Sequence, residues 1–324
     1  MSERRSGIRP EQRPTRKNAL VLYLLSGIGL IAASLLLGAI GGRLQGADAK
    51  LVNLGYNLVY YLGFLALPLV LSVKRRPEIL PSLRPNPISL LSVLAIVAMV
   101  LLGVTLVKDV TLLWSIPLQR LGFDVNASSF VMPSDRSGLM LCVLYAAVLP
   151  GVCEEFLFRG MLLSAFEGEG TRRAMVLSSL LFVLLHGSLV GLPGEFILGM
   201  VIASLVIYTD SIYAGLVYHT AYNATLLLLQ FVQQRTMAAE ELSVDYLTAI
   251  GGFPGVVLLG VEILATAMVL RMLLRFFRRR AQLRGVQMAQ GVRSRLSRGE
   301  WALLIAGVAL AALLYAMDIV YMLE

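Results

Sequence analysis

Cysteine is scarce in this chain. The sequence contains only Cys142 and Cys153, and both lie on one predicted helix. A helical rise of about 1.5 Å per residue places them about 16 Å apart, which is too far for a disulfide. The chain therefore has no disulfide framework, and it has no CxxC pair that would indicate a redox compartment.

Charged residues are also few, at 15% of the chain, whereas an ordinary soluble domain carries about 25%. Hydrophobic residues make up 57% and cluster in long runs, which is typical of membrane-spanning helices. The net charge is +8, but the basic residues lie in short segments between the apolar runs. That pattern argues against a nucleic-acid-binding protein and indicates topology signals and contacts with anionic lipid.

We predict an all-α fold, a polytopic transmembrane helix bundle of about 8–9 spans with an intramembrane polar cavity. A helix needs about 20 apolar residues to cross the hydrocarbon. Phe196–Tyr208 is shorter and is expected to be buried or re-entrant, while Leu112–Leu121 is expected to lie at the interface or fold back. The nine candidate spans are roughly Ala19–Ile40, Tyr56–Val73, Ile88–Val107, Leu139–Phe166, Ala174–Val190, Phe196–Tyr208, Ile212–Val232, Val256–Phe277 and Trp301–Leu323.

The positions of lysine and arginine predict the orientation of the spans. Cytoplasmic loops are enriched in these residues, and all four basic segments are cytoplasmic if there are nine spans and the N-terminus is inside. The opposite segment Gln233–Gly252 contains Glu240, Glu241 and Asp245 against a single Arg235. The four basic segments contain Arg4, Arg5, Arg9, Arg13, Arg16 and Lys17; Lys74, Arg75, Arg76 and Arg84; Arg172 and Arg173; and Arg278, Arg279, Arg280, Arg284, Arg293, Arg295 and Arg298.

The fourth span contains a group of charged residues. Ionisable residues within a span are functional candidates because they are costly in hydrocarbon. Glu155 and Arg159 are spaced i, i+4 and share a helix face, so they are predicted to pair. Glu154 projects about 100° away and is free to meet another partner. The alternative is a structural ion pair with one further acid at the helix end.

The two histidines of the chain, His186 and His219, both lie in predicted spans. A lone histidine in a helix is more often a packing residue than a catalyst, but His219 also shares a helix face with Asn223. Counted by helical rise, Glu154, His186 and Asn223 lie about 16–18 Å from the cytoplasmic ends of their spans, and His219 is one turn shallower. Polar groups from three helices are therefore expected to converge on one cavity.

The chemistry open to these residues is limited. The sequence contains neither the GxSxG nor the HExxH motif. Glutamate and histidine together can hold and deprotonate a water, while histidine and asparagine can donate hydrogen bonds to an oxyanion. This combination suits hydrolysis of an amide. Two histidines and a glutamate also resemble a zinc site, so metal ligation stays open.

Three motifs resemble those of a known family. EExxxR at Glu154–Arg159, FxxxH at Phe182–His186 and HxxxN at His219–Asn223 occur in order and on separate predicted spans. They are similar to the motifs of the CAAX-protease and bacteriocin-processing (CPBP) family, also called the Abi family of intramembrane glutamic endopeptidases. The resemblance covers about Ala147 to Leu226. It implies packed transmembrane helices around a water-filled cavity that opens toward the cytoplasm and the lipid.

The resemblance also implies roles for the matched residues. Glu154 is expected to be the general base, acting on a water that it shares with His186. His219 and Asn223 are expected to bind the oxyanion. The remaining pair, Glu155 with Arg159, is expected to position the site.

The predicted location, partners and organisation rest on the hydropathy and charge pattern together with the resemblance. We expect an integral protein of a bacterial cell membrane with a cytoplasmic N-terminus, acting on a peptide or membrane protein with or without a lipid anchor. Membrane lipids are expected partners, nucleic acid is not, and no cofactor is expected. The expected organisation is a basic cytoplasmic tail at 1–18, a transmembrane domain at 19–277 with its catalytic core at about 139–232, a basic cytoplasmic loop at 278–300 and a C-terminal transmembrane helix at 301–324.

Four other functions stay open from the sequence. A zinc protease would use Glu154, His186 and His219, and a thiol protease would use Cys153, although no histidine is fixed beside it. A scaffold or immunity protein of the same family would bind a partner in the cavity without cleaving it. A transporter would relay protons through buried Glu and His, but no pair of broken helices indicates the inverted repeats of that class.

Overall fold

The computed structural model describes residues 10–41, 49–125, 133, 135–236, 245–286, 288–291 and 294–323. All regular structure within these residues is helical, which confirms the all-α prediction. Nine long helices occur in this part of the chain, and each corresponds to one predicted span. They are α1 (Arg16–Gly41), α2 (49–75), α3 (Leu90–Arg120), α4 (Arg136–Glu169), α5 (Thr171–His186), α6 (Leu192–Thr209), α7 (Ile212–Thr236), α8 (Gly252–Leu283) and α9 (Arg298–Leu323).

Seven of these helices, all except α5 and α7, are long and apolar enough to cross a membrane. The chain is therefore a polytopic helical membrane protein, with length and composition supporting seven of the nine predicted spans. Helix α5 has 16 residues, which is shorter than the roughly 20 that the hydrocarbon requires. Helix α7 is longer, at 25 residues, but contains His219, Asn223 and several glutamine and threonine residues that lower its hydropathy.

Ion pairs connect three inter-helical segments at one end of the bundle. Arg84, which follows α2, lies 2.8 Å from Glu167 at the end of α4 and 3.2 Å from Asp210 just after α6. These contacts place the connections after α2, α4 and α6 at the same end. Helices α5 and α6 therefore run in opposite directions, away from this end and back to it, as they would if all nine helices alternate in direction.

Arg16 connects the first and last long helices, α1 and α9, to the same network. It pairs with Glu169 at the α4–α5 connection and with Glu300 in the first turn of α9. The starts of α1 and α9 therefore lie at the same end as the connections after α2, α4 and α6. This end carries the segments that the charge pattern predicts to be cytoplasmic.

The prediction that Leu112–Leu121 folds back is wrong. Helix α3 continues without a break to Arg120 and has 31 residues, so this stretch extends the third span as one helix. The apolar run is longer than the hydrocarbon requires, and Pro117, which removes one backbone hydrogen bond, lies within the last turn of the helix. Phe196–Tyr208 is part of α6, and most of its side chains are buried, including Val201, Ile202 and Leu205.

The orientation of the bundle in the membrane is testable. We expect a cytoplasmic N-terminus and an external C-terminus, because lysine and arginine cluster at the end of the bundle that contains Arg16 and Arg84. Reporter fusions within Gly285–Arg298 and after Glu324 should report cytoplasmic and external locations, respectively. A cytoplasmic signal after Glu324 would mean an even number of spans. Residues of the charge pattern that lie outside the described ones are Arg4, Arg5, Arg9, Glu240, Glu241, Arg293 and the terminal Glu324 itself.

Candidate active site

Helices α4 and α7 are in close contact one turn before the two glutamates. A Cβ added to Gly151 would lie 2.3 Å from the side-chain oxygen of Thr220 and about 3 Å from its backbone, so only glycine permits this approach. Thr220 is next to His219, and Gly151 is one turn before Glu154 and Glu155. The close contact therefore places the carboxylates of α4 beside the imidazole of α7.

Glu155 and Arg159 form a fully buried pair that supports His219 from behind. Arg159 Nη1 donates to Glu155 Oε1 at 2.8 Å, and its Nη2 donates to the carbonyl of Gly199 at 3.0 Å. His219 Nδ1 lies 2.8 Å from the same Glu155 oxygen. Neither Glu155 nor Arg159 has any exposed side-chain surface. The i, i+4 pair expected from the sequence is present, and it also fixes the histidine of another helix.

Glu154 points in a different direction and meets other groups. Its Oε1 accepts a hydrogen bond of 3.0 Å from the Tyr61 hydroxyl. Its Oε2 lies 3.9 Å from His186 Nε2 and 4.0 Å from His219 Nε2. These two distances are too long for direct hydrogen bonds. Two imidazole nitrogens from two helices thus converge on a single carboxylate oxygen.

The partners of the imidazole Nδ1 atoms define the tautomer of each ring. His186 Nδ1 lies 2.8 Å from the carbonyl oxygen of Phe182, and His219 Nδ1 lies 2.8 Å from a carboxylate oxygen of Glu155. Both partners can only accept, so each Nδ1 carries a hydrogen. Each Nε2 that faces Glu154 is therefore an acceptor in the neutral ring and a donor only in the imidazolium.

Phe182 holds both histidine rings in place. Its ring centroid lies 4.3 Å from that of His186 and 5.8 Å from that of His219. The guanidinium carbon of Arg159 lies 4.8 Å from the same centroid, a distance at which a cation is attracted to the ring face. The phenylalanine of the FxxxH motif therefore contacts residues from all three motifs.

A cavity of about 760 Å³ adjoins these groups. Glu154, His186, His219 and Asn223 line it, whereas Glu155 and Arg159 are not among its lining residues. The six residues singled out in the sequence thus divide into four that can touch a ligand and two that support them from behind. Further polar side chains in the wall are Ser34, Tyr56, Asn57, Tyr61, Thr111, Tyr145, Glu195, Tyr222 and Gln230.

Two residues of the site gave no signal in the sequence. Tyr61, the hydrogen-bond donor to Glu154, is one of several tyrosines in an apolar run and belongs to no motif. Glu195 lies in the first turn of α6, where the sequence resembles an ordinary span boundary. In the folded chain it lines the cavity, and its Oε2 is buried without a hydrogen-bond partner among the described residues.

The described residues contain no group of three or more His, Cys, Asp or Glu side chains arranged to hold a metal ion. The set that the zinc alternative requires, Glu154 with His186 and His219, is therefore not such a group. Cys153 is buried in the hydrophobic core and is not among the residues that line the cavity. The geometry thus gives no histidine partner to the thiol.

The part of the chain that contains the three motifs matches a known protein family. Residues 136–225 match the family model described as type II CAAX prenyl endopeptidase Rce1-like. The match includes all of α4, α5 and α6 and the segment of α7 that contains His219 and Asn223. Searches of curated proteins and of solved structures give no significant match. The family resemblance expected from the three motifs is therefore confirmed for residues 136–225, over which the chain is similar to the Rce1-like CAAX endopeptidases.

Proposed function

We propose that this protein is an intramembrane endopeptidase in which Glu154, with His186, activates a water for attack on a peptide bond, while His219 and Asn223 bind the oxyanion that forms. The observation that supports this most strongly is the convergence of both Nε2 atoms on Glu154 Oε2 inside a cavity of about 760 Å³. The family match supports a protease of the CAAX type. The residue roles below are part of the proposal.

The distances around Glu154 suit one bridging water. When one water oxygen makes two hydrogen bonds of about 2.8 Å at an angle of about 90°, its two partner atoms lie about 4 Å apart. The measured separations from Glu154 Oε2 are 3.9 Å to His186 and 4.0 Å to His219. A water there donates one hydrogen to the carboxylate, which takes up the proton as the oxygen attacks the substrate carbonyl.

The charge that develops on the carbonyl oxygen needs hydrogen-bond donors. Asn223 lines the same cavity one helical turn beyond His219, and its amide N–H₂ donates in every protonation state. His219 donates through Nε2 only as the imidazolium. Its Nδ1–H donates to Glu155, which holds the ring with Nε2 toward the cavity. The pair therefore forms the proposed oxyanion site.

Glu154 then passes its proton to the leaving amine, which restores the carboxylate and releases both products. Tyr61 is assigned a positioning role, since its hydroxyl fixes Oε1 and leaves Oε2 to face the water. Glu155 and Arg159 hold His219 from behind. The substrate is a peptide segment presented from the membrane, and a lipid anchor on it is consistent with the name of the matching family.

The role assigned to Tyr61 is testable by Tyr61→Phe. The variant keeps the ring but removes a donor to a charged group, an interaction worth about 1.5–3 kcal/mol. We expect kcat to fall roughly 10- to 100-fold with little change in KM, because the carboxylate loses its orientation and not its access to substrate. Peptide cleavage by purified protein measures both constants.

Tyr60→Phe is the matched control, because Tyr60 is buried beside Tyr61 and is not among the residues that line the cavity. Its kcat should stay within about twofold of wild type. Equal losses in the two variants would mean that the helix is sensitive to any change there, and the positioning role would be withdrawn.

The proposal as a whole is tested by whether new peptide ends appear in membranes that contain the wild-type protein but not in membranes that contain Glu154→Gln.

A further inference from the structure

A second cavity, of about 780 Å³, lies between α5, α6 and α8. Arg172 from the first turn of α5, Arg271 and Arg278 from α8, and Tyr208 from the last turn of α6 line it. Residues Ala289 and Gln290 close one side, where the backbone N–H of Thr171 donates to the carbonyl of Ala289 at 3.0 Å. This cavity is at the end of the bundle that contains Arg84 and the start of α9. It shares no lining residue with the candidate active site.

The arginines of α8 form a row. Arg271, Arg275 and Arg278 are spaced i, i+4 and i+7 and so share one helix face. A smaller cavity of about 220 Å³ lies beside the first, and all three arginines line it together with Tyr208. With Arg172 opposite, two helices direct four guanidinium groups toward the same region.

These arginines differ from others at the same end of the bundle. Arg16 and Arg84 are each paired with two carboxylates. In the described part of the chain, no Asp or Glu lines either basic cavity, and none lies within ion-pairing distance of the four arginines. Each of the two adjacent cavities is lined by three of these unneutralised cations, which repel each other, so an anion there would be bound favourably.

The surface next to the arginines is apolar. Leu264 and Met268 precede Arg271 at i−7 and i−3, on the same face of α8, and they are 72% and 61% exposed. They lie on the side of Arg271 toward the middle of the helix. Met175 and Met200 add apolar surface within the cavity itself. The face is therefore cationic near the end of the bundle and apolar toward its centre.

We propose that this cavity binds the phosphate headgroup of an anionic glycerophospholipid, whose acyl chains lie along Leu264 and Met268 of α8. Planar guanidinium groups suit phosphate oxygens, and basic cavities between transmembrane helices are a recurring form of lipid headgroup site. A soluble phosphate would use the arginines but not the apolar surface below them. The lipid uses both, so it is the occupant that the whole face fits. This site is independent of the proposed proteolytic reaction.

The test uses the purified full-length protein in a zwitterionic detergent and a phosphatidylglycerol with a fluorescent acyl chain. Phosphatidylcholine with the same label is the zwitterionic comparison, which has a phosphate but no net charge. The double variant Arg172→Gln, Arg278→Gln removes one arginine from each side of the cavity. Arg173→Gln, Arg279→Gln removes the same charge from the adjacent positions, which are not among the lining residues.

We expect wild type to bind phosphatidylglycerol in preference to phosphatidylcholine. The cavity double variant should bind phosphatidylglycerol about 10- to 30-fold more weakly, at roughly fivefold per arginine. The control double variant should change by less than about twofold, since charge outside the cavity is screened. Equal losses in the two double variants, or no preference for the anionic lipid, would overturn the proposal. Displacement of the lipid by millimolar inorganic phosphate would also overturn it, because the cavity would then recognise the free anion.

A measurement on the unmodified protein covers the case in which the cavity variant does not fold. A ligand that binds the native state raises the unfolding temperature. Wild type in mixed micelles should therefore unfold at a higher temperature with phosphatidylglycerol than with the same amount of phosphatidylcholine. Equal unfolding temperatures would contradict the site.

Discussion

Glu154→Gln is expected to abolish peptide cleavage and to leave a folded protein that still binds its substrate. Glutamine has the same shape, and its carbonyl oxygen can still accept the hydrogen bond from Tyr61. The amide cannot take a proton from water, however, so the general base is lost. We expect a fall in kcat of at least about 1,000-fold, within the range for loss of a positioned base, with KM changed little.

The matched control is Glu262→Gln, the same substitution on the exposed face of α8, away from the cavity. Its activity and unfolding temperature should equal those of wild type. The proposed reaction takes place without a metal ion, so wild-type activity should survive strong chelation. Loss of activity on chelation with rescue by stoichiometric zinc would instead support a metalloprotease that uses Glu154, His186 and His219.

Glu155→Gln is expected to destabilise the protein strongly as well as inactivate it. The carboxylate neutralises Arg159, which has no exposed surface, and it accepts the Nδ1–H of His219. Removing one partner of a fully buried ion pair costs about 3–5 kcal/mol, because the other charge is left uncompensated in a medium of low dielectric. Thermal unfolding in detergent, measured beside peptide cleavage, should show both losses.

The double variant Glu155→Gln, Arg159→Met separates the two losses. With the stranded cation removed, part of the stability should return. Activity should not return, because His219 still lacks the carboxylate that holds it. If Glu154→Gln unfolds the protein while Glu155→Gln gives a stable, inactive one, the roles of the two glutamates are the reverse of those proposed.

Local spacing made much of this site predictable from the sequence. The i, i+4 relations of Glu155 with Arg159 and of His219 with Asn223 depend only on helix geometry, so they need no knowledge of the fold. The apolar runs likewise identified all nine long helices. The different directions of the Glu154 and Glu155 side chains also follow from helix geometry, since neighbouring residues project about 100° apart.

The other site residues depend on contacts between distant parts of the chain. Tyr61 reaches Glu154 from a helix that is 93 residues earlier in the sequence, and nothing local distinguishes it from Tyr60. Glu195 lines the cavity because the first turn of α6 lies beside it. The full length of α3 is not predicted for a different reason. The predicted third span ends at Val107, before the charged residues Lys108 and Asp109, whereas the helix contains both.

The comparison of protein termini in three sets of membranes tests the central claim most directly. Cells that contain wild type or Glu154→Gln at equal levels, and cells that lack the protein, are compared by mass spectrometry of protein N- and C-terminal peptides. The account predicts new ends at or near membrane-spanning or lipid-anchored segments with wild type alone. Identical ends in all three samples would contradict it and favour a non-proteolytic scaffold, and equal new ends with wild type and Glu154→Gln would exclude Glu154 as the base.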